Sequence, residues 1–144
     1  MQAIEYWKEK GFNKIATIFT SDRLKQGVDV TFEVIKADWK NQPGVYLMCS
    51  DEGNILKIGQ SANILHRVDV QYKCISNLGN NRIRKEIKEN YNTVSIYAIK
   101  TPKEEVSLLQ YSFYTNYQKG LEEAMLHDYY NKVGDIPPLN MQRN

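Results

Sequence analysis

Two β-prone runs, GVYLMCS at 44–50 and NILKIG at 54–59, meet at the turn-rich tetrapeptide Asp51-Glu52-Gly53-Asn54. Glycine and asparagine tolerate positive φ, so the segment reads as an antiparallel hairpin, a unit that fixes much of what can surround it. With the loop at 51–54, Ser50 lies opposite Ile55, paired numbers sum to 105, and Met48 faces Lys57. In that register Tyr46 and Lys57 share one face of the hairpin as diagonal neighbours across the strands.

The flanking segments supply further elements. Residues 2–10 form a short helix stopped at Gly11, and the stretch to Phe19 is apolar enough to be buried. Val28, Val30, Phe32 and Val34 alternate with Asp29, Thr31 and Glu33, the period of a half-buried strand. Beyond the hairpin, Leu65, Val68 and Tyr72 recur at helical spacing, with Ser61 placed as the cap. A second helix over 80–90 carries Ile83 and Ile87 on one side and directs Arg82, Arg84, Lys85 and Lys88 away from them. TVSIYAIK at 93–100 is another strand, ended by Pro102. The spacing then predicts a helix starting near Thr101 or Lys103, a tyrosine-rich connection, and a last helix over 119–131 before Pro137-Pro138. These elements describe an α+β (α/β) chain with a small, mainly antiparallel sheet and flanking helices. No repeat or linker divides it, so residues 1–144 read as one domain.

Charge is uneven along this framework. From Lys57 to Lys100 eight Lys and Arg stand against three acids, a local +5, while the whole chain carries +2, leaving −3 for the rest. A basic middle third suits a polyanionic partner, and a solvated helix face accounts for the same charges. The N-terminus MQAIEYWKEK has no apolar signal core and no run is long enough to span a membrane, so an intracellular, cytoplasmic protein is expected. Cys49 and Cys74 are isolated and read as reduced thiols, neither bridged nor zinc-bound.

Glu122 stands out on the last helix. At 100° per residue, Leu121, Ala124, Met125, Leu126 and Tyr129 define an apolar arc, and Glu122 falls inside it. An ionised carboxylate among apolar side chains is costly unless it is paired or binds a cation. A metal ligand and a buried salt bridge both satisfy that requirement.

Taken in order, the chain holds GVY at 44–46, KIG at 57–59, Arg67 ten residues after Lys57, Glu122 in LEEAML, and Asn140 after the prolines. This set resembles the signature of the GIY-YIG nuclease superfamily. In that family an arginine follows the second motif on a helix, and a C-terminal E-x-x-[LMF]-[IL]-x-x-Y pattern is matched here by Glu122, Met125, Leu126 and Tyr129. The resemblance covers residues 43–140, with 1–42 as an N-terminal extension.

The resemblance implies an endonuclease hydrolysing phosphodiester bonds in DNA with Mg²⁺ or Mn²⁺. Tyr46 would assist water activation, Arg67 stabilise the phosphate, and Glu122 bind the metal. Each role has a physical motive, since a guanidinium neutralises a phosphodiester in a bidentate fork and a cation steadies the departing oxygen. Lys57 stands where the family has its second-motif tyrosine. Its ammonium either favours the Tyr46 phenolate or meets phosphate directly. The position one helical turn after Arg67, commonly tyrosine or histidine, is Gln71 here, which leaves His66 and Tyr72 as substitutes. His66, Tyr72, Arg82, Arg84, Lys85, Lys88 and Asn140 are the candidate nucleic-acid contacts. Plain surface, core-packing and loop-stabilising roles stand beside these for His66, Tyr72 and Asn140 respectively. The expected partner is duplex or branched DNA ahead of RNA, with a homodimer or a partner protein supplying target selection. The alternative to an active enzyme is a nucleic-acid-binding module of the same fold with weakened or lost catalysis, a reading to which Lys57 and Gln71 point.

Overall fold

The computed structural model describes residues 3–19, 28–71 and 78–140; for Val70, Gln71, residues 78–81 and Arg84 it describes the backbone alone. Helix α1 (Ala3–Glu9) leads into strand β1 (Asn13–Phe19), and β2 (Asp29–Phe32) returns beside it. The hairpin follows as β3 (Gly44–Cys49) and β4 (Ile55–Ser61). Helix α2 (Ile64–His66) continues as a wider π-helical turn over Arg67–Gln71 and is followed by α3 (Leu78–Asn90), β5 (Thr93–Lys100), β6 (Glu105–Leu108), β7 (Tyr111–Tyr114) and α4 (Tyr117–Val133).

Five strands make one antiparallel sheet in the order β2-β1-β5-β3-β4. Two of them come from residues before 43, so the stretch expected as an N-terminal extension supplies β1 and β2. Apolar clusters cover both faces. On one, Tyr46, Met48, Val94, Ile96 and Ala98 meet Ile64 and Val68 of the α2 segment and Ile83 and Ile87 of α3. On the other, Val45, Leu47, Cys49 and Ile58 meet Ile4 of α1 and Met125 of α4. Every residue of β3 is therefore buried, which explains why its sequence is continuously apolar rather than alternating.

The hairpin register agrees with the sequence expectation from Gly44↔Ser61 through Met48↔Lys57 and then slips, because Cys49 pairs with Ile55. The slip is a β-bulge at Leu56, which turns that side chain into the Tyr46 cluster. Ser61 proves to be the last residue of β4, and the helix cap is Asn63, whose side chain accepts from His66 N–H at 3.1 Å. Ser61 supports that cap through hydrogen bonds of 3.0 Å with the Asn63 backbone.

The helix expected from Thr101 or Lys103 is absent, and β6 and β7 form a two-stranded ribbon in its place. Val106 and Leu108 alternate with Glu105 and Ser107, a period of two that outweighs helix propensity once Phe113 and Tyr111 pair across. The turn places Leu109 at φ 51° and Gln110 at φ 69°, the conformation that closes two-residue hairpins and that neither side chain favours. Cys49 is a buried free thiol whose pKa burial pushes up to about 11, in keeping with an inert core cysteine, while Cys74 lies outside the described residues. Among the described residues no helix is long and apolar enough to cross a membrane.

β4 is an edge strand, and an open edge invites misplaced pairing. The chain covers it with Leu139, whose N–H donates to the Leu56 carbonyl at 2.7 Å, and with Asn140. The Asn140 amide accepts from Ile58 N–H at 2.9 Å and donates to Ile58 C=O at 2.8 Å, as a paired strand would. Asn140→Ala should therefore lower unfolding stability by about 1–3 kcal/mol, since both Ile58 groups lose their partner. Urea titration of the two proteins checks the size of the loss, and hydrogen exchange at the Ile58 amide checks its place.

Candidate active site

The β3–β4 ladder sets the site. Tyr46 lies opposite Gly59, and a Cβ at Gly59 would sit 2.3 Å from Tyr46 Cζ and 2.5 Å from its hydroxyl oxygen. Any side chain there would collide with the ring, so a glycine in mid-strand is required for Tyr46 to lie down across β4. The phenol is 1% exposed. Lys57, two residues before Gly59, projects from the same face as the diagonal neighbour of Tyr46 that the hairpin register predicts.

Lys57 is the electrostatic centre of the group. Burial lowers its pKa from the ordinary 10.5 to about 8; Glu122 opposes that shift, and Arg67 and Arg82 reinforce it. Glu122, Arg67 and Arg82 thus act on Lys57 of β4, although they come from α4, the π-helical turn and α3. Because β4 is an edge strand, groups from both helical layers can approach it. Of the charged groups that act on Lys57, two are cations and one is a carboxylate.

Arg67 opens the π-helical turn, a local widening that often marks functional positions. Its Nε is buried and has no hydrogen-bond partner among the described residues. A buried donor left unmade is costly, and a ligand oxygen is one way to satisfy it. Glu122 is half-buried on the α4 stripe of Gln118, Leu121, Met125, Leu126 and Tyr129, whereas Ala124, expected in the same arc, is exposed.

Arg82 differs from its sequence expectation. Rather than turning away with the basic face, it is half-buried, donates from Nη2 to the Leu139 carbonyl at 2.8 Å, and acts on Lys57. It flanks the Ile83 and Ile87 stripe closely enough to lie against residues 139–140, and so braces the cover of β4. Asn140 spends its amide on Ile58. His66 and Lys85 are exposed and Lys88 half-buried, so these three lie on or near the surface. Tyr72 and the Arg84 side chain fall outside what is described. The residue that sequence reasoning missed is Gly59 as the seat of Tyr46; a glycine inside an otherwise apolar strand was its signal. A recess of about 640 Å³ beside the 51–54 turn, lined by Asp51, Glu52, Asn90 and Thr93 among others, includes none of Tyr46, Lys57, Arg67 or Glu122.

No protein-family model matches the chain, and no curated protein matches it significantly. Solved structures do. Restriction endonuclease HPY188I in complex with product DNA aligns over 99% of this chain and 87% of its own, with a TM-score of 0.59 and 18% identity. A glutamate-to-alanine mutant of bacteriophage T4 EndoII aligns over 95% of this chain and 97% of its own, with a TM-score of 0.63 and 14% identity. The chain shares its fold with these two proteins.

Two outcomes test the geometry. Gly59→Ala should cost about 1–3 kcal/mol by forcing the Tyr46 ring off its seat, and a change in tyrosine near-ultraviolet dichroism should accompany the lowered denaturation midpoint. The Lys57 shift gives a pH signature. Below about pH 8 both native and unfolded Lys57 are protonated and the burial penalty is felt in full. Between about 8 and 10.5 the native amine loses its proton first, so Lys57's contribution to stability improves with rising pH. Urea unfolding in EDTA should therefore show wild type gaining on Lys57→Met across that window; a constant gap would mean that Lys57 titrates normally.

Proposed function

We propose that this protein is a divalent-cation-dependent endonuclease of the GIY-YIG type that hydrolyses phosphodiester bonds in DNA. The observation that carries the reading is the convergence of Arg67, Glu122 and Arg82 on the half-buried Lys57, beside the Tyr46 that Gly59 seats. Those residues include the ordered motif set of the sequence, GVY, KIG, the helix arginine and the late glutamate. The shared fold with two endonucleases supports it.

Among the described residues no three His, Cys, Asp or Glu come together as a metal cage. The residues present still suit Mg²⁺ or Mn²⁺, which commonly rely on one or two carboxylates and complete their shell with water and substrate phosphate. Glu122 would hold the ion. When bound, the cation polarises the phosphate and steadies the departing oxygen.

The chain's own groups do the rest. Arg67 places its guanidinium on the scissile phosphate, where the unpartnered Nε–H becomes satisfied and the growing negative charge is neutralised. Water attacks phosphorus, one phosphorus–oxygen ester bond breaks, and the water proton passes by way of the Tyr46 hydroxyl to the Lys57 Nζ in its neutral amine form. An amine titrating near 8 is poised for proton transfer around neutral pH. Arg82 and Asn140 act as positioning residues, the first bracing residue 139 and the second clipping Ile58, which keeps β4 and its Lys57 in register. His66, Lys85 and Lys88, together with Arg84 and Tyr72, are assigned to contact with the nucleic acid outside the reacting centre. The single-domain reading accompanies this proposal.

Incubation of plasmid, single-stranded and branched DNA with and without Mg²⁺ tests it. Cleavage should require the cation, disappear with Glu122→Ala, and fall by about 10²–10³ with Arg67→Ala, as expected for loss of one transition-state donor. Cutting by Glu122→Ala at the wild-type rate removes the metal assignment, and DNA binding without cutting by wild type leaves the fold a binding module.

A further inference from the structure

The β6–β7 ribbon takes no part in the site described above. Its register places Val106, Leu108, Tyr111 and Phe113 on one face and Glu105, Ser107, Ser112 and Tyr114 on the other. The first face is apolar and left open to solvent, with Leu108 62%, Tyr111 73% and Phe113 47% exposed, and Leu109 at the tip is 80% exposed. A two-stranded hairpin is marginal in water by itself, and one with an uncovered apolar face calls for a partner.

The chemistry of the stretch narrows the partner. From Val106 to Gln118 the sequence VSLLQYSFYTNYQ contains no charged residue. A surface built for DNA carries lysine and arginine for the phosphates, and the apolar face of Val106, Leu108, Tyr111 and Phe113 carries none, since Lys103 lies over Tyr114 of the other face. At the ribbon's base lies an open groove of about 630 Å³ lined by Thr101, Pro102, Thr115, Tyr117, Gly120 and Leu121, and by Asn116. Its wall includes a helical glycine with no internal reason to be one. A Cβ on Gly120 would meet nothing within 4 Å, yet glycine weakens the α4 helix it belongs to. The chain thus presents both a projecting leucine tip and an apolar groove kept clear beside the ribbon's root.

We propose that two copies of this chain pair through the β6–β7 ribbon, apolar face against apolar face about a two-fold axis, with the Leu109 tip of each copy seated in the groove at the base of the other. An antiparallel arrangement brings each tip to the other ribbon's root, and a two-fold contact uses the same patch twice. The area is sufficient. With a whole aromatic side chain contributing roughly 150–250 Å², the exposed parts of Leu108, Leu109, Tyr111, Phe113 and Tyr117 amount to on the order of 600 Å² per copy, or roughly 1,200 Å² for the pair, the lower end of a standard stable interface. The inference is independent of the nuclease reading, since it concerns assembly alone.

Sedimentation equilibrium of the full chain from about 1 to 100 µM, a range that spans ordinary dimer affinities, tests it. Wild type should sediment at twice the 16.8 kDa of one chain. Leu109→Asp, at an exposed turn position where aspartate tolerates positive φ, and Gly120→Phe, whose Cβ meets no atom within 4 Å and whose ring would occupy the groove, should each sediment as monomers with an unchanged far-ultraviolet dichroism spectrum. A wild-type monomer throughout the range overturns the proposal, as does a dimer that survives either substitution. Loss of DNA affinity in both variants with no change of mass overturns it too, and assigns the ribbon to nucleic acid instead.

Discussion

The close approach of the Tyr46 ring to the backbone of Gly59 is the contact on which the candidate site depends. It is possible only while β3 and β4 keep their register, because a slip of one residue would send Tyr46 to the opposite face and put Gln60 or Ile58 beneath it. The same register decides that Lys57 leaves the strand on the Tyr46 side. Burial of β3 on both faces makes slippage expensive, since its whole apolar set would change layers at once. The Tyr46 and Lys57 part of the site is thus held by the sheet's own core.

The electrostatics follow from that geometry. An ammonium forced into a partly buried position resists its charge, and two neighbouring guanidinium groups add to the resistance. Glu122 is the counterweight, supplied by a helix that the sheet's other face positions. Beside Lys57, Arg67 brings a buried Nε donor that has no hydrogen-bond partner among the described residues. An anionic oxygen is the natural complement to such a donor.

Much of this was legible from residues alone, for reasons that differ from element to element. The hairpin was readable because its turn chemistry and its length agree, so five of its cross-strand pairs and the Tyr46–Lys57 diagonal followed from a single assumption about the loop. β5 announced itself by strict alternation. β1 did not, because a register shift between Lys14 and Ala16 breaks its period against β5, leaving an apolar stretch with no readable face. The ribbon at 105–114 was missed because its turn uses leucine and glutamine where glycine or asparagine would have signalled it. The half-buried position of Glu122 was legible from helix geometry, although exposed Ala124 shows that the apolar arc was drawn too wide. Arg82 was misdirected because a helical wheel knows only the helix's own stripe, and residue 139 lies 57 positions away in sequence.

The clip between Asn140 and Ile58 spans 82 residues. A chain emerging from the ribosome can pair β3 with β4 early, but β4 stays an open edge until residue 140 has appeared, and Glu122 too arrives long after Lys57. Completion of the cluster therefore waits for the last helix, so that a nascent chain holds its basic groups before the carboxylate that faces them.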